Sequence, residues 1–108
     1  MSEDNAALIW CPFPDEAAAR AAADALLAER LIACANLVPG VVALFAWHGE
    51  RGEGAETGAL LKTTAARLDE AMRRLAALHP YDTPAITGWT VRAEAGTLAW
   101  LQGETGGA

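Results

Sequence analysis

The sequence predicts an α+β fold of one domain, with a four-stranded antiparallel sheet that carries two helices on one face. The chain has 108 residues, 53% of them hydrophobic, which is the size and composition of one domain with a buried core. Segments of strand-like composition alternate with two amphipathic segments in the order βαββαβ, and a short C-terminal helix follows. No repeat or linker divides residues 1–108, so we expect a single domain.

The first βα unit is indicated by an apolar run from Ala7 to Phe13. Its length suits a buried strand, and Pro12 and Pro14 limit its end. Asp15 and Glu16 come next, at a position where carboxylates are stabilised by the free N–H groups at the start of a helix. The helix then repeats small and apolar residues at steps of three and four: Ala19, Ala22, Ala23, Leu26 and Leu27.

The middle of the chain predicts a long strand from Ala33 to Trp47, where β-branched and aromatic residues are frequent. Pro39-Gly40 interrupts it and predicts a bend or bulge. Residues His48 to Gly58 include four glycines and four charged residues, so we expect a mobile loop or open hairpin there. A third strand is predicted from Ala59 to Thr63.

The last part of the chain predicts a second helix, capped by Thr64 and ended by Pro80. A fourth strand is expected within Pro84 to Arg92 and a short helix from Thr97 to Gln102. The termini, Met1 to Asn5 and Gly103 to Ala108, are expected to fray. The apolar stripe of the second helix consists of Leu68, Ala71, Met72, Leu75 and Leu78.

This order of elements is that of the ferredoxin-like, or split βαβ, arrangement. Both helices then cover the same face of the sheet, and the opposite face stays bare. A large apolar face in water favours a partner subunit, so a closed homo-oligomer is expected. Four tryptophans fall in or beside the predicted sheet elements: Trp10, Trp47, Trp89 and Trp100.

Charge and composition exclude several classes of function. Acidic residues outnumber basic ones by 14 to 8, which argues against a nucleic-acid partner because such binding needs clustered cations. The longest apolar run, Leu37 to Trp47, is too short to cross a membrane. The acidic N-terminus does not resemble a secretory signal, so we expect a cytoplasmic protein with reduced cysteines.

No catalytic or metal-binding motif of regular spacing occurs among the two cysteines and two histidines. In the ferredoxin-like order the third strand separates Cys11 from Cys34 by about 9–10 Å, too far for a disulfide. Cys11 is interpreted as a core residue and Cys34 as the more accessible thiol. No nucleophile and base pair is indicated, so we expect no enzyme activity.

Three further residues have two readings each. His79 either caps the second helix or orients a ligand together with Tyr81 on the rigid turn that Pro80 creates. Lys62, the only lysine, either lies along the sheet with its ammonium group in water or anchors an anion in a cleft. His48, in the glycine-rich segment, either touches a ligand or is solvated, and we expect it to be solvated.

Five segments stand out in order over nearly the whole chain. They are Glu29-Arg30-Leu31-Ile32-Ala33-Cys34-Ala35-Asn36-Leu37-Val38-Pro39-Gly40-Val41, Trp47-His48-Gly49, Lys62-Thr63, His79-Pro80-Tyr81-Asp82-Thr83-Pro84-Ala85-Ile86 and Leu98-Ala99-Trp100-Leu101. Together they resemble the CutA family of divalent-ion tolerance proteins. The resemblance implies a ferredoxin-like subunit in a homotrimer similar to the PII signalling proteins, with a role in tolerance of copper or another divalent cation.

The resemblance also implies the site residues. Cys34 and His79 match family positions and are the candidate metal ligands, for copper or another divalent cation. Trp47, Lys62, His79 and Tyr81 are the candidate ligand-binding residues of a cleft between subunits. The alternative function is a PII-like signalling or protein-interaction platform that acts through its hairpins without direct metal chemistry.

The sequence departs from the family pattern in three places. Pro12-Phe13 stands where the family often has threonine and cysteine, which removes one possible thiol. Glu50 replaces a lysine that usually follows the Trp-x-Gly segment. Thr57-Gly58 occupies positions where strand residues are expected, so a looser and more acidic hairpin is predicted.

Overall fold

The computed structural model describes residues 5–106, which form one four-stranded antiparallel sheet and three helices. The strand order β2-β3-β1-β4 is that of the predicted ferredoxin-like arrangement. Part of each predicted terminus, residues 1–4 and 107–108, lies outside the described residues. The elements are β1 (Ala6–Phe13), α1 (Glu16–Ala28), β2 (Cys34–Trp47), β3 (Glu50–Thr64), α2 (Ala65–Leu78), β4 (Thr87–Val91) and α3 (Ala95–Glu104).

The core lies between the sheet and helices α1 and α2. Alternate residues of the central strands point into it, as a pleated strand requires. On β1 these are Ile9, Cys11 and Phe13, and on β3 they include Leu61 and Thr63, each at most 1% exposed. The residues between them point to the other face of the sheet, which no α1 or α2 side chain covers; it is called the open face below.

Helix α1 begins as predicted, because the Asp15 carboxylate accepts a hydrogen bond from the Ala18 N–H at 2.8 Å. Thr64 is the N-cap residue of α2, but its side chain makes no capping hydrogen bond. The residue as a whole is 4% exposed and lies where β3 passes directly into the helix.

Of the two alternatives predicted for residues 48–58, a mobile loop or an open hairpin, the hairpin is confirmed and the loop is wrong. A two-residue turn at His48-Gly49, with φ of 51° and 80°, joins β2 directly to β3, which starts at Glu50. Positive φ at both positions is what a type I′ hairpin turn requires. The glycines of this segment have a low intrinsic preference for strand conformation. Pairing with the apolar residues of β2 compensates for this low preference and forms the strand.

Strands β2 and β3 extend beyond the rest of the sheet. The last β1–β3 pair is Phe13 with Thr57, so residues 41–47 and 50–56 pair only with each other. This two-stranded ribbon is called the arm below. At its root, the predicted irregularity at Pro39-Gly40 is confirmed as a register shift between Val38 and Val41, with Gly40 at a φ of 77°.

Helix α3 is longer than predicted, and its end is not frayed. It runs from Ala95 to Glu104, with Leu101 and Thr105 buried. The Arg30 side chain donates to the carbonyl oxygens of Gly103 and Glu104, at 2.7 and 3.2 Å. Such bonds satisfy carbonyls that a helix end leaves without partners.

Candidate functional site

The turn after α2 is fixed by its proline. The residue before a proline is disfavoured in helical conformation, and His79 is extended, with φ of −75° and ψ of 140°. Its backbone N–H still donates to the Leu75 carbonyl oxygen at 3.0 Å. His79 is therefore the C-cap of α2, and its side chain turns away from the helix toward the end of β1.

The His79 imidazole is 7% exposed and stacks on Phe13, with ring centroids 4.3 Å apart. Its Nδ1 accepts the Tyr81 backbone N–H at 3.1 Å, so Nδ1 carries no proton. Its Nε2 lies 2.8 Å from the Pro12 carbonyl oxygen, which can only accept, so Nε2–H donates. Both ring nitrogens are therefore occupied, and a metal ion could bind His79 only if one of these bonds opened.

Tyr81 is held at both of its ends. Its N–H is bonded to His79, and its hydroxyl donates to the Glu56 carboxylate at 2.8 Å. Partial burial disfavours the charged phenolate, and the hydrogen bond and negative charge of Glu56 act in the same direction. Together they raise the pKa of Tyr81 to about 12.

Glu56 was not predicted as a site residue, because it lay in the segment read as a loop. In the structure it belongs to β3, one residue beyond the last pair with β1, and thus at the root of the arm. Its carboxylate ties the arm to the turn that carries Tyr81. The sequence offers no local signal for this contact, since the two residues are 25 positions apart.

Cys34 and Lys62 are direct cross-strand partners on the open face. Cys34 pairs with Lys62, and Lys62 pairs on its other side with Leu8. Directly opposed residues have Cβ atoms about 4.5–5.5 Å apart. The Cys34 residue is half-buried, and its thiol donates to the Asn36 side-chain oxygen at 3.6 Å. The thiol therefore has the Asn36 amide and the Lys62 side chain as its neighbours on this face.

The two predicted metal ligands do not meet within one protomer. His79 is bonded to Pro12, which pairs with Gly58, whereas Cys34 pairs with Lys62. Those two β3 positions are four residues apart, or about 13 Å along the strand. Across residues 5–106, no three His, Cys, Asp or Glu side chains come close enough to hold a metal ion.

Trp47 lies far from the other candidate residues. It is the last residue of β2, at the tip of the arm, 50% exposed and packed edge-on against His48. Its partner Glu50 precedes Lys62 by twelve residues, or roughly 40 Å of strand. One protomer therefore brings the predicted site residues together as two separate pairs: His79 with Tyr81, whose ring centroids are 4.8 Å apart, and Cys34 with Lys62.

Cys11 is a core residue, as predicted, and is fully buried. Burial disfavours its thiolate, and the negative charge of Glu56 adds to this effect, so the pKa of the thiol rises to about 12. It carries no accessible donor. None of the helices in residues 5–106 is both long and apolar enough to span a bilayer.

The comparisons with known proteins agree with this architecture. A sequence profile of the family described as CutA1 divalent ion tolerance protein matches residues 7–104. The Divalent-cation tolerance protein CutA of Thermus thermophilus is 42% identical over 95 residues, covering 86% of this chain and 91% of that protein. The protein of the same name from an Escherichia coli strain is 36% identical over 101 residues, covering 93% and 90%.

Solved structures show the same likeness in three dimensions. The crystal structure of divalent ion tolerance protein CutA1 from Ehrlichia chaffeensis superposes with a TM-score of 0.88 at 31% identity, covering 94% of this chain and 95% of that one. The structure described as the periplasmic divalent cation tolerance protein CutA from Archaeoglobus fulgidus gives 0.87 at 27% identity, covering 93% and 98%. The chain belongs to the CutA1 family of divalent ion tolerance proteins.

Proposed function

We propose that this chain is a trimeric, non-catalytic binding protein that takes up a divalent metal ion or a small ligand at the clefts between its subunits. The observation that carries the proposal is the separation of Cys34 from His79. Since residues 5–106 of one protomer gather no three-donor group, an ion needs ligands from more than one copy. The candidate cleft residues Trp47, Lys62, His79 and Tyr81 are likewise too dispersed to act within one chain.

The arm supports assembly. A two-stranded ribbon is marginally stable alone, and this one exposes apolar side chains on both faces. Val42 and Leu44 are 76% and 70% exposed on one face, and Phe45 and Trp47 are 49% and 50% exposed on the other. Closed packing of three copies covers such surfaces and the unpaired strand edges beside them.

Copper is the ion we expect, as part of divalent-cation tolerance. Thiolate and imidazole are ligands that suit copper and zinc better than hard cations. Cys34 offers its thiol on the open face, and His79 becomes a ligand when the bond to Pro12 or Tyr81 opens. We place the protein in the cytoplasm, where both free cysteines stay reduced.

Native mass spectrometry of metal-free protein titrated with copper or zinc tests the proposal. We expect a trimer that binds stoichiometric copper, with binding lost in Cys34→Ser and His79→Ala. Cys11→Ala is the matched control, because its thiol is buried, and it should bind as wild type does. A folded lone protomer at micromolar dilution would refute the assembly, and metal binding unaffected by all three substitutions would refute the ligand set.

The alternative is a PII-like signalling or interaction platform, in which the arm docks another protein. The exposed and acidic arm favours it, since residues 50–56 carry three glutamates on a strand whose outer edge is unpaired. Replacing Glu50 and Glu53 by glutamine should then leave assembly intact and abolish capture of a partner. An unchanged set of partners would count against this alternative.

A further inference from the structure

Within the four-stranded part of the sheet, as far as the pair of Pro12 with Gly58, the open face carries one formal charge, that of Lys62. Alternation along each strand identifies the residues on this face, and burial of their neighbours in the core supports the assignment. All the others are uncharged. They are Ala6, Leu8, Trp10 and Pro12 of β1, Cys34, Asn36 and Val38 of β2, Gly58, Leu60 and Thr64 of β3, and Thr87, Trp89 and Val91 of β4.

The ammonium group of Lys62 has no counter-ion among the described residues. The ion pairs of residues 5–106 join Arg20 to Glu16, Arg67 to Glu70 and Arg74 to Glu29, and none involves Lys62. Its cross-strand neighbours are an aliphatic side chain, Leu8, and a thiol, Cys34. In a chain with a net charge of −6, this leaves an unpaired cation in the middle of an apolar surface.

Covering the open face would make this arrangement costly. A charge removed from water without a partner loses several kcal/mol of hydration, so buried charges are paired. Further copies that turn the same face inward bring more Lys62 ammonium groups, whereas Glu56, the next carboxylate along β3 with the same alternation, lies beyond the four-stranded part and already accepts the Tyr81 hydroxyl. Like charges that converge around a symmetry axis repel one another unless an anion lies between them.

We propose that Lys62 anchors a small oxyanion, a phosphate or carboxylate group, on the open face where the subunits meet. This inference rests on the proposed assembly and names the chemical class of its small ligand. Asn36 supplies a second donor, because its side-chain oxygen accepts from Cys34 and its NH2 group is free to donate. It lies diagonally from Lys62 across β2 and β3, at about 7–8 Å, a span that one multi-oxygen anion bridges.

The test uses the fact that Lys62 is the only lysine. Isotope labelling of lysine gives a single ε-methylene signal in the NMR spectrum of the assembled protein, and inorganic phosphate is titrated in at constant ionic strength. We expect a saturable shift with phosphate and none with chloride. Isothermal titration calorimetry with phosphate serves for the variants, which lack the lysine signal. By this measurement Lys62→Met should bind phosphate at least about tenfold more weakly than wild type, and Lys62→Arg should keep most of the affinity.

Arg92→Gln is the matched control, because it removes an exposed cation just beyond β4 and should leave phosphate binding unchanged. Circular dichroism and sedimentation establish that each variant folds and assembles. The proposal is overturned if phosphate and chloride act alike, or if Lys62→Met binds phosphate as wild type does. It is also overturned if the lysine signal does not shift with phosphate while Lys62→Met dissociates the oligomer, since the Lys62 ammonium group then pairs with a carboxylate of a neighbouring subunit. Loss of metal binding in Cys34→Ser is a separate readout, so the two proposals can fail independently.

Discussion

The contact between Tyr81 and Glu56 can be measured directly, because Tyr81 is the only tyrosine of the chain. Ionisation of tyrosine changes its ultraviolet absorbance, whereas tryptophan does not ionise in this pH range. The ultraviolet absorbance of the native protein as a function of pH therefore follows this one hydroxyl. The perturbation is Glu56→Gln, which keeps a hydrogen-bond acceptor at the same position and removes its charge. Glu56→Ala removes both.

The expected effect is large. The pKa of Tyr81 is raised from 10.0 to about 12. At pH 11 a phenol of ordinary pKa is about 90% ionised, whereas one with a pKa of 12 is about 10% ionised. We expect the pKa of Tyr81 to fall partway toward 10 in Glu56→Gln and further in Glu56→Ala, because part of the elevation comes from burial of the ring, which both variants retain.

The same shift predicts how stability depends on pH. The folded pKa lies above the unfolded value, so the folded state holds the proton more tightly. This contribution to stability is fully present below about pH 10 and is lost as the pH rises toward 12. The urea midpoint of wild type should therefore decrease more between pH 10 and 12 than that of Tyr81→Phe.

The reasoning would be refuted by a native wild-type midpoint near pH 10, or by a Glu56→Gln midpoint equal to that of wild type. Tyr81→Phe serves as the blank, since its absorbance should show no titration. A pH titration of the urea-unfolded protein gives the reference value and should return the ordinary pKa of about 10.

Three further predictions concern packing and thiol chemistry. Leu26 is fully buried and its neighbour Leu27 is 40% exposed, so Leu26→Ala should lower the free energy of unfolding by about 2–5 kcal/mol and Leu27→Ala by less than about 1, as urea denaturation can measure. A Cβ at Gly58 would overlap the Trp10 indole ring, whereas one at Gly54 meets nothing within 4 Å. Gly58→Ala should therefore lower the free energy of unfolding by about 1–3 kcal/mol and Gly54→Ala should leave it almost unchanged. Equal urea midpoints of the two variants would contradict this. Cys11, with a pKa of about 12 and a buried thiol, should resist iodoacetamide at pH 8 in the native protein and react once urea unfolds it; fast native alkylation at this position, located by peptide mass analysis, would show the packing to be wrong.

Local patterns in the sequence were enough to predict the fold. The carboxylate of Asp15 before an apolar stripe places the start of α1, and Pro39-Gly40 predicts the bulge in β2. The extent of β3 could not be predicted in the same way. The residues that β3 contributes to the arm are mostly glycines and charged residues, and their strand conformation depends on pairing with β2 across the turn. His48-Gly49 was the local signal, since histidine is among the residues that tolerate positive φ.

The candidate site was predicted in part. The grouping of His79 with Tyr81 follows from their spacing around Pro80, a local constraint. The hydrogen bond of the second imidazole nitrogen, Nε2, depends on Pro12, which is 67 positions away and comes close only when β1 lies beneath the end of α2. The placement of Cys34 opposite Lys62 depends on strand register, which the sequence specifies only through the alternation of core residues.

The tight turn at His48-Gly49 has a consequence for how the arm can change in length. Because the turn has only two residues and the side chains of a ribbon alternate, lengthening both strands by two residues each leaves every existing side chain on its original surface. Inserting a single residue in one strand instead inverts everything between the insertion and the tip. Natural variation in the length of this ribbon should therefore come in even steps, and odd changes should fall at the register shift beside Gly40, which already accommodates an unpaired residue.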